Sequence, residues 1–399
     1  FQRSALAMLV RSRQMIDRKA VASLSIAHLI NDWYMNYIQV LLPFLVASGL
    51  GLSAGAFLIS AFTITSSISQ PVFGYLVDRR NQHWFVYVGT FWMALLICLV
   101  GVVKNYPLMF CIAALSGLGT AAFHPQASSM VSAASGDSKG FYQSCFMAAG
   151  NLGWALTPIT VAPFTNAYGL EWTPVFVLPG LLVAILVRFV VRDVAPQSKG
   201  RSEPILPVLR ENGAELGKVA LVVALRSLTY FSLIAFLPLY LQAENVPLMT
   251  GSRLLFIMLF AGAVGGIAGG YLSDRIGRKQ VVVGSLVLAS PFFYLFLGAS
   301  GAWSYILLAL AGASLLASFS VTVVVAQEIA SRHAAMASGL MLGFAVGVGG
   351  LGVGIAGALA EAIGLAPVVH VLIWLPAAAG LLWLVVGVRT ASDAQASPA

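Results

Sequence analysis

Few side chains in this sequence can do chemistry, and they stand far apart: His28, Asn31 and Asp32, then His124, Asn151, Arg226 with Tyr230, and Glu328. Isolated His, Asp and Arg suit proton uptake and the gripping of an anion. Covalent catalysis would need a clustered nucleophile and base, or a metal set, and neither is present, so an enzyme is not expected. Asp32 either carries a proton or only hydrogen-bonds a neighbouring helix within a polar cluster with His28 and Asn31. His124 can bind substrate, relay protons, or satisfy a carbonyl freed where Pro125 removes a helix hydrogen bond. The planar fork of Arg226 matches a carboxylate or phosphonate. Asn151 is a ligand or a packing hydrogen bond. Glu328 reads best as part of a surface network with Arg332, or of a gate. Cys98, Cys111 and Cys145 have neither metal-ligand nor bridging spacing, and no G-x-x-x-x-G-K-[ST] loop exists to drive a pump with ATP. No cofactor or metal is expected.

The elements that hold these residues must be membrane helices. With 59% apolar and 9% charged residues and a mean hydropathy of +0.90, the chain has too little polar surface to cover a soluble globule. Its apolar runs exceed the ~18 residues that cross a bilayer. They place twelve spans near 20–46, 53–76, 84–103, 107–134, 139–166, 173–192, 217–243, 252–273, 280–299, 303–328, 333–362 and 366–388. A basic tail over 1–19 precedes a bundle at 20–192, a polar linker at 193–216 joins it to a bundle at 217–388, and a short tail covers 389–399.

If the chain starts in the cytoplasm, 19 of its 22 Lys and Arg residues fall on that side, Lys104 and Arg253 fall outside, and Arg226 lies within a span. That asymmetry puts both termini in the cytoplasm. The net charge of +8 is then a topology signal and a contact with anionic lipid rather than evidence for nucleic acid. Asp32 lies about twelve residues into the first span, near the midplane at ~1.5 Å per residue. A carboxylate there costs about 2.5–3.5 kcal/mol and should face a cavity or a partner.

One polar stretch occurs twice. Gly74-Tyr75-Leu76-Val77-Asp78-Arg79 and Gly270-Tyr271-Leu272-Ser273-Asp274-Arg275 lie 196 residues apart, close to half of the 399-residue chain, so the sequence reads as two homologous halves. The glycines let another helix pass closely, while the Asp can cap that neighbour and the Arg can face lipid phosphates. The second copy continues Ile276-Gly277-Arg278-Lys279. The first keeps Arg80 but continues Asn81-Gln82-His83.

In these stretches the chain resembles the major facilitator superfamily, whose loop pattern G-x-x-x-D-R-x-G-R-[KR] the second copy matches in full and the first in part. The resemblance implies an all-α membrane fold of two pseudo-symmetric six-helix bundles working by alternating access. Gly74, Asp78, Arg79, Arg80, Gly270, Asp274, Arg275, Gly277, Arg278 and Glu328 would then serve conformational gating. In that fold the first and seventh helices face each other. The offset maps Arg226 to position 30, within a turn of Asp32, so the two charges are expected to meet: as a pair that opens on protonation, as a proton site beside an anion site, or as a static tie.

His28-x-x-Asn31-Asp32, Phe123-His124-Pro125, Gly150-Asn151-x-Gly153, Ala326-Gln327-Glu328 and Ser338-Gly339 leading into a glycine ladder resemble the fosmidomycin-resistance branch, with Gln126 where an acidic residue is expected. This implies a monomeric inner-membrane drug/proton antiporter. Its partners would be protons, lipids and a small, often anionic substrate, bound near His28, Asn31, His124, Asn151, Arg226 and Tyr230. Alternatives are an importer or facilitative carrier of an organic anion, and a receptor or scaffold that kept the fold without transport.

Overall fold

The computed structural model describes residues 16–79, 82–136, 139–190, 205–330 and 334–386, and these contain helices and turns but no strand. In chain order the helices are α1 (Arg18–Met35), α2 (Tyr37–Ala47), α3 (Leu52–Arg79), α4 (Trp84–Leu99), α5 (Tyr106–Ala134), α6 (Lys139–Tyr168), α7 (Val177–Val190), α8 (Ile205–Ala243), α9 (Leu248–Ile276), α10 (Arg278–Leu297), α11 (Ala302–Ile329), α12 (Ala334–Ile363), α13 (Leu365–Leu372) and α14 (Leu375–Leu382). Ten helical stretches among the described residues are long and apolar enough to cross a membrane, and Trp84–Leu99 is a shorter apolar helix. The surface agrees with a lipid setting: Phe189, Ile68 and Ile267 are about 70% exposed, which a water-soluble protein would avoid at so many large apolar positions.

Local chemistry sets the ends. The Asp17 carboxylate accepts the Ala20 N–H at 3.0 Å at the start of α1, and the side-chain oxygen Oδ1 of Asn105 does the same for Leu108 at the start of α5. Gly277, at φ 98°, separates α9 from α10, a conformation only glycine adopts without strain. One residue, Asn36, divides α1 from α2, and its side-chain amide donates to the Trp154 carbonyl at 3.0 Å, anchoring the break to α6.

Most of the expected spans recur as helices with ends shifted by a few residues, while the first is divided at Asn36 and the last into α13 and α14. The main difference lies ahead of the seventh: the segment read as linker to residue 216 is already helical from Ile205. Hydropathy marks where a helix enters apolar surroundings, not where it begins. This polar extension carries an i,i+3 ion pair, Lys218 to Glu215 at 2.7 Å, and tolerates Pro207 in its first turn.

Three packing relations position the functional residues. α1 lies along α6 and touches α5; α8 contacts α11 and α12; and α12 packs against α3.

Candidate functional site

On α1, His28 and Asp32 are four residues apart, which puts both on one helix face; both are buried. His28 Nε2 lies 3.3 Å from Asp32 Oδ2, and His124 Nε2, reaching across from α5, lies 3.0 Å from Oδ1. The carboxylate is therefore held between two imidazoles. Each ring is fixed from behind. His28 Nδ1 sits 2.6 Å from the Phe146 carbonyl of α6, with its ring stacked on Phe146 at 4.0 Å between centroids. His124 Nδ1 faces the carbonyl and the hydroxyl of Thr120, each at 3.0 Å. That hydroxyl donates to Asn31 Oδ1 at 2.7 Å, so Asn31 joins the cluster as expected, while its buried amide nitrogen has no partner among the described residues.

Gly150 of α6 closes the back of the site. A Cβ there would lie 2.6 Å from Asp32 Oδ2 and from His28 Nε2, so the motif glycine permits the approach of α6 backbone to the carboxylate. Gly150→Ala should keep the fold and expression while lowering transport at least tenfold, because the methyl group must push His28 or Asp32 out of register. An unchanged rate in vesicles would show that the fit of this cluster is immaterial.

Arg226 departs from expectation. It is buried on α8, donates from Nη1 to Thr322 Oγ1 at 3.2 Å and lies 4.8 Å from the centre of the Phe319 ring, both on α11. Its reach carries it toward α11 rather than to α1, and no Asp32–Arg226 ion pair forms. Among the described residues Arg226 has no carboxylate partner. Tyr230, one turn along α8, is within electrostatic reach of both charges. Asn151 is exposed and hydrogen-bonds no described residue, so it stands apart from the cluster that adjacent Gly150 touches.

Of the repeated loops, the second is better defined. Arg278 at the start of α10 forms an ion pair with Glu328 at the end of α11. Among the described residues the ion partner of Glu328 is thus Arg278, while Arg332 lies outside them. Arg275 lies over the Tyr271 ring at 4.4 Å, Gly270 faces Ser320, and Asp274 is exposed without a described partner. In the first loop Gly74 faces Pro125, whereas the side chains of Asp78 and Arg79 and the whole of Arg80 lie outside the described residues. Thr120, Phe146, Phe319 and Thr322 were not anticipated. Thr120 had a signal, since it stands one turn before His124; the other three had none.

His28, Asp32 and His124 are the one trio of metal-capable side chains among the described residues, with donor atoms within 4.8 Å of one another. His124 Nε2 is hydrogen-bonded to the carboxylate at 3.0 Å, and His28 Nε2 lies 3.3 Å from its other oxygen.

The sequence pattern of the Major Facilitator Superfamily matches residues 24–350 and again 219–398. The chain belongs to this superfamily. Its members are transporters and not enzymes, and this protein is accordingly a multi-pass membrane transporter of small molecules. It is 31% identical over 364 residues to the fosmidomycin resistance protein of Escherichia coli, covering 89% of this chain and 90% of that one. It is 30% identical over 376 residues to the uncharacterised MFS-type transporter YfnC of Bacillus subtilis, covering 88% and 89%. In fold it matches a bacterial homologue of the lysosomal transporter Spinster, solved in an inward-facing and occupied conformation, with a TM-score of 0.78 over 95% of this chain and 98% of that one at 16% identity.

The transporter's α3 and α12 meet along a seam of small residues. Ser60 donates to the Gly350 carbonyl at 2.6 Å, and a Cβ on Gly350 would collide with Thr63. At the end of the seam Glu361 of α12 accepts the backbone N–H of Ser53 at 3.0 Å, capping the start of α3.

Proposed function

We propose that this protein is a proton-coupled exporter of a small anionic or drug-like compound. Its twelve spans form two six-helix bundles, residues 20–192 and 217–388, in a bacterial inner membrane with both termini in the cytoplasm. Asp32 with its two histidines carries the proton, and Arg226 with Tyr230 grips the substrate anion across the cavity. The observation that carries this reading is the separation of the two charges. A buried carboxylate is satisfied by imidazoles on α1 and α5, while a buried guanidinium on α8 lacks an acidic partner among the described residues. A buried cation without a counter-ion is costly, and an anionic ligand relieves that cost. Kinship with a fosmidomycin resistance protein favours export and makes that compound the first to test.

Purified protein in proteoliposomes, with a pH-sensitive dye inside and an imposed proton gradient, should move protons when fosmidomycin or another organic anion is added. Asp32→Asn should reduce that movement by more than about tenfold, since an amide cannot carry the proton. Normal proton-coupled exchange by Asp32→Asn would overturn the assignment, and substrate flux without protons would identify a uniporter.

A further inference from the structure

Counting hydrogens in the cluster gives more than one transferable proton. A carbonyl oxygen only accepts, so His28 Nδ1, at 2.6 Å from the Phe146 carbonyl, must bear a hydrogen. His124 Nδ1 meets the Thr120 carbonyl and the Thr120 hydroxyl, whose own hydrogen is directed to Asn31, so it too must bear one. In a neutral imidazole that leaves each Nε2 as a bare lone pair. Both nitrogens would then face the oxygens of an ionised Asp32 with no hydrogen between them, at 3.0 and 3.3 Å, which is repulsive unless a hydrogen lies in each gap.

We infer that His28, Asp32 and His124 form one carrier for two protons, one in each nitrogen–oxygen gap. Filled, it consists of two imidazolium rings flanking a carboxylate, or the equivalent with one proton moved onto Asp32, and has charge +1. Emptied, it consists of two Nδ1–H imidazoles and a carboxylate with charge −1, the two protons having passed to water on one side of the membrane. Loss of the protons turns two attractive contacts into lone-pair repulsions. His28 is backed by Phe146 and by the bare backbone at Gly150, whereas His124 stands next to Pro125, where the helix lacks one backbone hydrogen bond, so α5 is the element that yields. Among the helices against α1, α5 contributes His124, and α6 presents Gly150 and the Phe146 carbonyl. Among the described residues, Tyr230 of α8, with Arg226 beyond it, is the further ionisable side chain that interacts electrostatically with Asp32. This deepens the proton-coupling reading and depends on it only for its consequence in transport.

Nitrogen-15 NMR of histidine-labelled protein in detergent, without substrate or gradient, tests the proton count. The chain has five histidines, and His28→Gln and His124→Gln assign the two of interest. Both rings should be protonated on both nitrogens in acid, and on raising the pH both should lose the Nε2 hydrogen while keeping Nδ1–H. Asp32→Asn, which leaves both rings in place but removes the carboxylate they face, should change both signals; this shared change also assigns them if a glutamine variant fails to fold. A ring that stays neutral throughout, or a neutral ring with its hydrogen on Nε2, would overturn the two-proton carrier. Both rings charging while vesicle transport proves independent of protons would leave the carrier standing and sink the coupling. A single charging ring with coupled transport would do the reverse.

Discussion

Truncating Arg226 to Ala should weaken binding of an anionic substrate by about 30-fold or more, since removing one member of a buried charged contact costs about 2–5 kcal/mol. The loss should be specific to anions. The guanidinium is fixed by Thr322 and by the Phe319 ring, so it is pre-positioned with part of its fork uncommitted. Arg226→Lys should fall between, losing roughly tenfold, because an ammonium keeps the charge but not the planar two-point grip. Binding can be followed through intrinsic fluorescence or calorimetry with fosmidomycin and with an uncharged compound of similar size. Equal affinities for the anion in the parent protein and in Arg226→Ala would make Arg226 a packing residue and remove the anion site from the mechanism.

Gly350→Val should abolish transport without unfolding the protein. Its side chain would enter the space of Thr63, which cannot swing aside: it is β-branched and its hydroxyl bonds back to the carbonyls of Ile59 and Ser60. Overpacking of this kind costs about 1–3 kcal/mol. Here the molecule can avoid the strain by leaving the α3–α12 contact open, so the cost is paid as a shift between conformations. A reporter is at hand in Ser60→Cys, nearly isosteric and buried in the same seam, in a background with Cys98, Cys111 and Cys145 replaced. The thiol should resist a membrane-impermeant maleimide in the parent protein and react with it once Gly350→Val is added. Full activity with a protected thiol would show that the seam is not a gate.

The sequence carried the helices and the identity of the buried charges, because a bilayer punishes polar residues heavily enough that their survival at mid-depth is itself a signal. It also carried the link between His28 and Asp32, since four residues along a helix fix a common face. The partner of Arg226 was not legible. The half-chain repeat aligns backbones, but a long flexible side chain can turn to either neighbour, and Arg226 turns to α11 and not to Asp32. Gly150 and Asn151 give the same lesson at short range. Adjacent helical positions point about 100° apart, so one meets the carboxylate while the other is exposed, and nothing in the dipeptide says which. The glycine in Gly150-Asn151-x-Gly153 announced a close approach without naming what approaches.

α6 touches the Asp32 cluster at Gly150, and one turn later the ring of Trp154 meets Phe231, the neighbour of Tyr230 on α8, at 5.8 Å between centroids. A single helix is thus in contact with the Asp32 cluster and with the helix that carries Arg226 and Tyr230. Any free energy that passes along it obeys reciprocity: the factor by which protonation lowers substrate affinity equals the factor by which bound substrate lowers proton affinity. Measuring either one gives the other, and their common value sets how much of the proton gradient the protein can turn into a substrate gradient before the two sites uncouple.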